Sequence, residues 1–366
     1  MSADKIKIGF IPLVDAAIPV IAADLGFGAQ EGLEIELVRE VSWSNIRDRL
    51  IFGHFEAAHM LAPVAVASSL GLGAIKAPLA APIALGLNGN AITLSPRLHD
   101  ELLERMEPGA DPTDPYATGR AFARVIRDRR ARGDEPPVLG MTFPFSTHNY
   151  QLRLWLAEAG IDPDVDLRLA VSPPPFMVDA LASGHIEGFC VGAPWNSIAV
   201  ELGLGRILHL GVDLVRRCPE KVLAMRSPLL VERPELGAAL IRACEKAAQW
   251  LSNPENREET AERLASSDRL DVPAAIIRRT LDGRLPTGDG ASERQADDYI
   301  LFAETRPDPR HARWLFDQMK RWGQANGSAA EAAETVYRPD LYDAALGRTP
   351  PALTDDPLGL FTTARG

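Results

Sequence analysis
The sequence predicts an α/β protein of two lobes, the second inserted into the first. Three observations predict it. Short apolar β-type runs alternate with helical patterns in the first quarter of the chain and again in its middle, the pattern of a mostly parallel sheet flanked by helices. Between those regions, after Ser95-Pro96, the character turns wholly helical, so the chain leaves one sheet before it builds the next. At 366 residues, 46% hydrophobic and 24% charged, the chain is long enough for two domains of typical size.

The elements follow in order. Lys5 to Phe10 reads as a strand, Ala16 to Phe27 as a helix and Leu33 to Val38 as a second strand, a βαβ opening. Ser42-Trp43-Ser44-Asn45 starts a helix carrying Ile46, Leu50 and Ile51; Ala57 to Leu61 is a third strand and Pro63 to Leu70 a small-residue helix. Pro82 to Leu94 is a longer β-type run interrupted by Asn88-Gly89-Asn90. Helical patterns over Arg97 to Met106 and Tyr116 to Arg132 lead to a central strand, Val138 to Phe143. Ser146-Thr147-His148-Asn149 is then a polar helix start, followed by an amphipathic stretch from Leu152 to Ala159. Strands at Asp166 to Val171 and Ile186 to Val191 enclose a helix at Phe176 to Ala182, and Trp195 to Leu202 carries the chain back. Crossings near Ser95 and near Leu204 to Leu208 divide residues 1–95 and 208–366 from residues 96–207. Lys221 to Met225 is a further β-type run, and helices follow over Pro234 to Trp250, Glu255 to Ala265, Ala274 to Leu281 and Pro309 to Trp322. The tail after Tyr337, rich in Pro, Asp and Thr, reads as loosely ordered or wrapped over the surface.

Charge and cysteine usage exclude several functions. A formal net charge of −11 repels a nucleic-acid backbone and an anionic membrane surface, so direct nucleic-acid binding is not expected. An anionic ligand must therefore find its positive charge and N–H donors locally. Cys190, Cys218 and Cys244 have no metal-type spacing and form no complete disulfide framework, which fits a reducing compartment. His54, His59 and His185 lack the companions of a metal site. No run reaches about 18 apolar residues, and the start, MSADKIKIGFIPLVDAA, passes directly into a strand without a signal-type apolar run, so a cytoplasmic protein is expected.

The candidate site is organised around Thr142 to Asn196. A strand that feeds a helix start presents unpaired N–H groups and the positive end of the helix dipole, where anions bind, and His148 adds a donor there. In open α/β sheets ligands bind beyond the carboxyl ends of the strands, and Trp43 and the segment His59 to Pro63 fall at such places.

The blocks VSWSNIRDRL, NGNAITL, the histidine helix start, DLRLAVSPPPFMV, GFCVGAPWN and CPEKVLAM, spaced in this order from about Lys5 to Met225, resemble the nitrate- and bicarbonate-binding proteins of ABC uptake systems. The resemblance implies a two-lobed type II periplasmic-binding-protein clamshell, with domain 2 inserted into domain 1 and the ligand in the cleft between them. It also implies an anion held by Trp43, Asn90, His148, Gly192 and Lys221. At the amide position the family usually has Gln, and Asn90 is one methylene shorter. No cofactor and no metal are implied. Without an export signal the chain looks most like the family's cytosolic branch, the NasS-type nitrate/nitrite sensors, which hold an ANTAR-type RNA-binding antiterminator and release it when the anion binds.

The donor set suits such a ligand. Nitrate accepts hydrogen bonds and never donates; indole N–H is donor only, Lys is a three-donor cation and an amide can turn its NH₂ inward. Bicarbonate carries a hydroxyl that benefits from a carboxylate at the lysine's place, so Lys221 favours nitrate or nitrite. The competing readings are a transport receptor for nitrate or bicarbonate, and an enzyme resembling the thiamine-pyrimidine synthases. The enzyme lacks support: that family's cysteine-rich motif is missing, and no acid–base pair, nucleophile triad or phosphate loop appears.

Overall fold
The computed structural model describes residues 3–73, 75–288, 292–327 and 329–352. They form two compact units. Unit 1 takes residues 3–87, 219–282 and 300–352, and unit 2 takes residues 88–218 and 283–299.

In chain order the strands are β1 (Asp4–Phe10), β2 (Leu33–Arg39), β3 (Ala57–Leu61), β4 (Leu79–Asn88), β5 (Asn90–Leu94), β6 (Val138–Met141), β7 (Arg168–Val171), β8 (Gly188–Gly192), β9 (Arg206–Leu210), β10 (Pro219–Arg226), β11 (Arg284–Pro286), β12 (Glu293–Gln295) and β13 (Ile300–Leu301). Unit 1 carries a six-stranded sheet, β13-β4-β10-β3-β1-β2. Unit 2 carries a five-stranded sheet, β7-β6-β8-β5-β9, and the small hairpin β11-β12.

Both large sheets are mixed rather than mostly parallel. β1 runs parallel to β2 and β3, but β10 enters antiparallel between β3 and β4. In unit 2, β6 runs parallel to β7 and β8, and β5 lies antiparallel between β8 and β9. The antiparallel members are the strands by which the chain enters or re-enters a unit. They arrive from outside it and are under no helical-crossover constraint.

Side-chain pattern explains strand position. In β1, Ile6, Ile8 and Phe10 are buried, while Lys5 and Lys7 point out and pair across the register with Glu34 and Glu36 of edge strand β2 at 3.2 and 3.3 Å. β3, β4, β5 and β8 are buried along their whole length. The run expected from Pro82 to Leu94 is two strands in different sheets. Asn88 at φ 67° and Gly89 at φ 93° both occupy the left-handed region, which breaks the strand where only residues of those types turn easily. The expected crossings near Ser95 and Leu204 to Leu208 lie beside β5 and β9, which pair with each other in the unit 2 sheet.

The tail is more ordered than expected. Pro339–Leu346 is a helix ended by Gly347 in the left-handed conformation, and Tyr342 within it is 1% exposed, bonded to Glu245 and Thr305 at 2.8 Å each. Residues 353–366 lie outside the described residues.

Candidate functional site: buried polar groups at the sheet ends
One topological fact places the polar residues in each unit. An antiparallel strand begins at the end where its parallel neighbours finish. In unit 1, Lys221 near the start of β10 stands in register with Leu61, the last residue of β3. The same end carries the turn after β1, with Asp15, and the helix after β2, Trp43–Ile51. In unit 2, Asn90 at the start of β5 stands in register with Gly192, the last residue of β8. There, too, β6 ends and leads through Thr142 to the helix Thr147–Glu158.

The unit 1 group is dry and charged. Asp15, Trp43, His59, Glu220 and Lys221 are each 0–2% exposed. One carboxylate bridges two basic groups: Asp15 Oδ1 lies 2.8 Å from His59 Nε2 and Asp15 Oδ2 lies 2.7 Å from Lys221 Nζ. The ammonium also meets Glu220 Oε1 at 2.7 Å and sits 5.3 Å from the centroid of the Trp43 ring. Trp43 and His59 lie with ring centroids 5.5 Å apart. Trp43 is held at its helix start by Ser42, whose Oγ accepts from Asn45 N at 3.2 Å. Neither Trp43 Nε1 nor His59 Nδ1 has a hydrogen-bond partner among the described residues.

Ionisation follows from this packing. Burial alone would raise the Asp15 carboxyl, but the charges of Lys221 and His59 and their hydrogen bonds bring it down to about 2. Burial pushes the Lys221 ammonium down, and Asp15 and Glu220 more than reverse it, so its value is raised and the amine stays charged. His59 is lowered, chiefly by burial and further by the charge of Lys221, against the pull of Asp15.

The unit 2 group around Asn90 is built of hydroxyls, amides and an imidazole. Thr142 Oγ1 lies 3.0 Å from His148 Nδ1, and Ser146 caps the helix by accepting from Asn149 N at 3.1 Å. Asn90 Nδ2 donates to Gln151 Oε1 at 3.2 Å, with Thr147 Oγ1 at 3.5 Å. Cys190 Sγ approaches the same Gln151 oxygen at 3.7 Å. The helix is not amphipathic at its start: Thr147 to Arg153 are all buried. Asn149 and Arg153 are bonded within the unit, Asn149 Nδ2 to Pro144 O at 2.8 Å and Arg153 Nε to Asn149 Oδ1 at 3.0 Å.

Of the five residues expected to hold an anion, Trp43 and Lys221 are brought together in unit 1, and Asn90, His148 and Gly192 in unit 2. Asp15 and Glu220 fall outside the segments expected at the site, while His59, Thr142 and Gln151 lie inside such segments without having been named as contacts. A signal existed for two of them. Asp15 in FIPLVDAAIP and His59 in AAHML are lone ionisable residues inside apolar runs, and such a group must be paired when the run is buried.

Two α/β units with mixed sheets, polar groups gathered at the strands' carboxyl ends, define the periplasmic-binding-protein fold. The crystal structure of the periplasmic nitrate-binding protein NrtA from Synechocystis matches with a TM-score of 0.85 and 29% identity, over 94% of this chain and 89% of that one. The nitrate/nitrite binding protein NrtA of Nostoc is 32% identical over 330 residues, 87% of this chain and 71% of its own length. The nitrate import ATP-binding protein NrtC of Synechocystis is 33% identical over 92% of this chain, which spans 49% of that protein's length, about half. A model of the NMT1-like family matches residues 2–265. The chain belongs to the NMT1-like family and, within it, to the nitrate/bicarbonate-binding proteins.

Proposed function
We propose that this chain is the solute-binding receptor of an ABC uptake system for nitrate or nitrite, with Trp43, Asn90, His148, Gly192 and Lys221 as the contacts of the anion. The observation that carries the reading is the buried ammonium of Lys221, kept charged beside an indole N–H that has no hydrogen-bond partner among the described residues. The carboxylates of Asp15 and Glu220 offset the burial of the ammonium, but a buried donor without an acceptor is costly to keep, and beside a cation it suits a small weakly hydrated anion. Lys221 also favours nitrate and nitrite over bicarbonate, since it offers no acceptor for a hydroxyl.

The test is a thermal-shift panel with nitrate, nitrite, bicarbonate and sulfate, followed by calorimetry. A ligand that binds only the folded state raises the apparent stability. Nitrate or nitrite is expected to give the largest shift; a shift with sulfate alone, or with none of the four, would refute the reading. The names carried by the relatives are those of binding proteins and transport components, which favours the receptor over a cytoplasmic NasS-type sensor holding an ANTAR-type antiterminator. The sensor reading is distinguished by its partner: it requires a complex with the antiterminator that added nitrate dissociates.

A further inference from the structure
His59 offers a polar atom that the receptor reading leaves unused. A carboxylate only accepts, and Asp15 is ionised, so the hydrogen between them sits on His59 Nε2, 2.8 Å from Asp15 Oδ1. In the neutral ring the other nitrogen, Nδ1, is then a bare lone pair. That atom is buried with no hydrogen-bond partner among the described residues, and so is the N–H of Trp43, whose ring is its neighbour at 5.5 Å. The charged groups facing the imidazole are Asp15, from the turn after β1, and Lys221, from β10, with Glu220 behind Lys221.

An adjacent donor and acceptor suit a ligand that accepts at one atom and donates at another. Bicarbonate does both. Nitrate and nitrite only accept, and their oxygens would meet the lone pair of Nδ1 with repulsion. A proton on Nδ1 removes that repulsion. It turns the atom into a second donor and leaves an imidazolium between the bound anion and the carboxylate of Asp15.

We propose that His59 is a specificity-determining residue: it takes up one proton when an acceptor-only oxyanion such as nitrate enters, and stays neutral for an oxyanion that brings its own hydroxyl, such as bicarbonate. The inference rests on the receptor reading. Anion and proton then bind with positive coupling, and each raises the affinity for the other by the same factor.

The experiment is titration calorimetry of the full chain with sodium nitrate and sodium bicarbonate near pH 8, in buffers of different ionisation enthalpy, which counts protons taken up. Nitrate is expected to bring close to one proton and to bind about tenfold more weakly for each unit of rising pH; bicarbonate is expected to bring none. His59→Asn, whose amide nitrogen takes the place of Nδ1 as a fixed donor, should bind nitrate with no uptake. Should that variant not fold, the ¹⁵N shifts of the histidine rings in the wild-type nitrate complex give the answer, with both nitrogens of His59 protonated. Nitrate bound without uptake, a full proton brought by bicarbonate, uptake unchanged in His59→Asn, or a neutral His59 ring in the nitrate complex would each overturn the proposal and leave the receptor reading standing. No nitrate binding at all would sink the receptor reading, and this inference with it.

Discussion

Lys221 is the residue with the most at stake, because a side chain that is 0% exposed carries a full charge only while Asp15 and Glu220 surround it. Removing one partner of a buried ion pair costs about 3–5 kcal/mol, since the remaining charge is left dry. Lys221→Met is therefore expected to lower unfolding stability by about that much and to abolish nitrate binding; urea unfolding and calorimetry on the same sample measure both. Lys221→Glu is a poorer probe, because it sets a third carboxylate beside Asp15 and Glu220, and lost binding would follow from lost folding. Trp43→Phe is cleaner. The indole N–H has no hydrogen-bond partner among the described residues, so deleting it breaks no internal bond, while the anion loses one charged hydrogen bond. Such a bond is worth about 1.5–3 kcal/mol, so nitrate affinity should fall about 10- to 100-fold with the fold retained; unchanged affinity by calorimetry would remove Trp43 from the site.

At the scale of elements, the ends of β5 and β8 and the helix Thr147–Glu158 hold one another through Asn90 and Gln151, and Gly211 is the spacer that lets them close. A Cβ at Gly211 would stand 2.8 Å from Gln151 Nε2 and 3.1 Å from Asn90 O. Gly211→Ala should therefore push Gln151 off Asn90, destabilising the protein by about 1–3 kcal/mol and weakening nitrate binding although the residue is not among the proposed contacts. Calorimetry showing wild-type affinity would mean that the position of Asn90 does not matter to the ligand. The same elements show which parts of the fold were legible. Periodicity marks β1, β2 and β3 because alternation and apolar runs report a sheet face directly, and the Ser42 and Ser146 caps mark the two helix starts that carry Trp43 and His148. Strand direction left no such mark, so β10 and β5 could not be seen to run against their neighbours. β11, β12 and β13 have only two or three residues each, too few to show a period. The helix Pro339–Leu346 was hidden by the Pro- and Asp-rich composition around it, although Tyr342 anchors it on Glu245 and Thr305. The expected contacts came from the family resemblance, whereas the pairing of Glu220 with Lys221, and of Asp15 with both Lys221 and His59, needed coordinates.

For the whole molecule, acidity and burial combine into a pH dependence of folding. His209 is fully buried in unit 2, with Nε2 2.6 Å from Thr118 Oγ1, which in turn accepts from Trp155 Nε1 at 3.2 Å. Burial, set against the weaker pull of Asp213, lowers this imidazole from 6.5 to about 4. A folded value below the unfolded one means that the unfolded chain binds the proton first. Stability from His209 is complete above pH 6.5 and is lost as pH falls towards 4. Between pH 7 and pH 5 the loss amounts to about 2 kcal/mol, before the carboxylates begin to titrate: Asp15, held near 2, contributes only below its unfolded value of 3.8. His59 and His99 are shifted in the same direction and steepen the slope. Replacing His209 with Gln keeps a polar group within reach of Thr118 but removes the titration, so its stability should fall less between pH 7 and pH 5 than that of the wild type, by about one proton's worth of slope. Urea unfolding of both proteins at the two pH values decides it, and equal slopes would mean that the imidazole of His209 titrates alike in the folded and the unfolded chain.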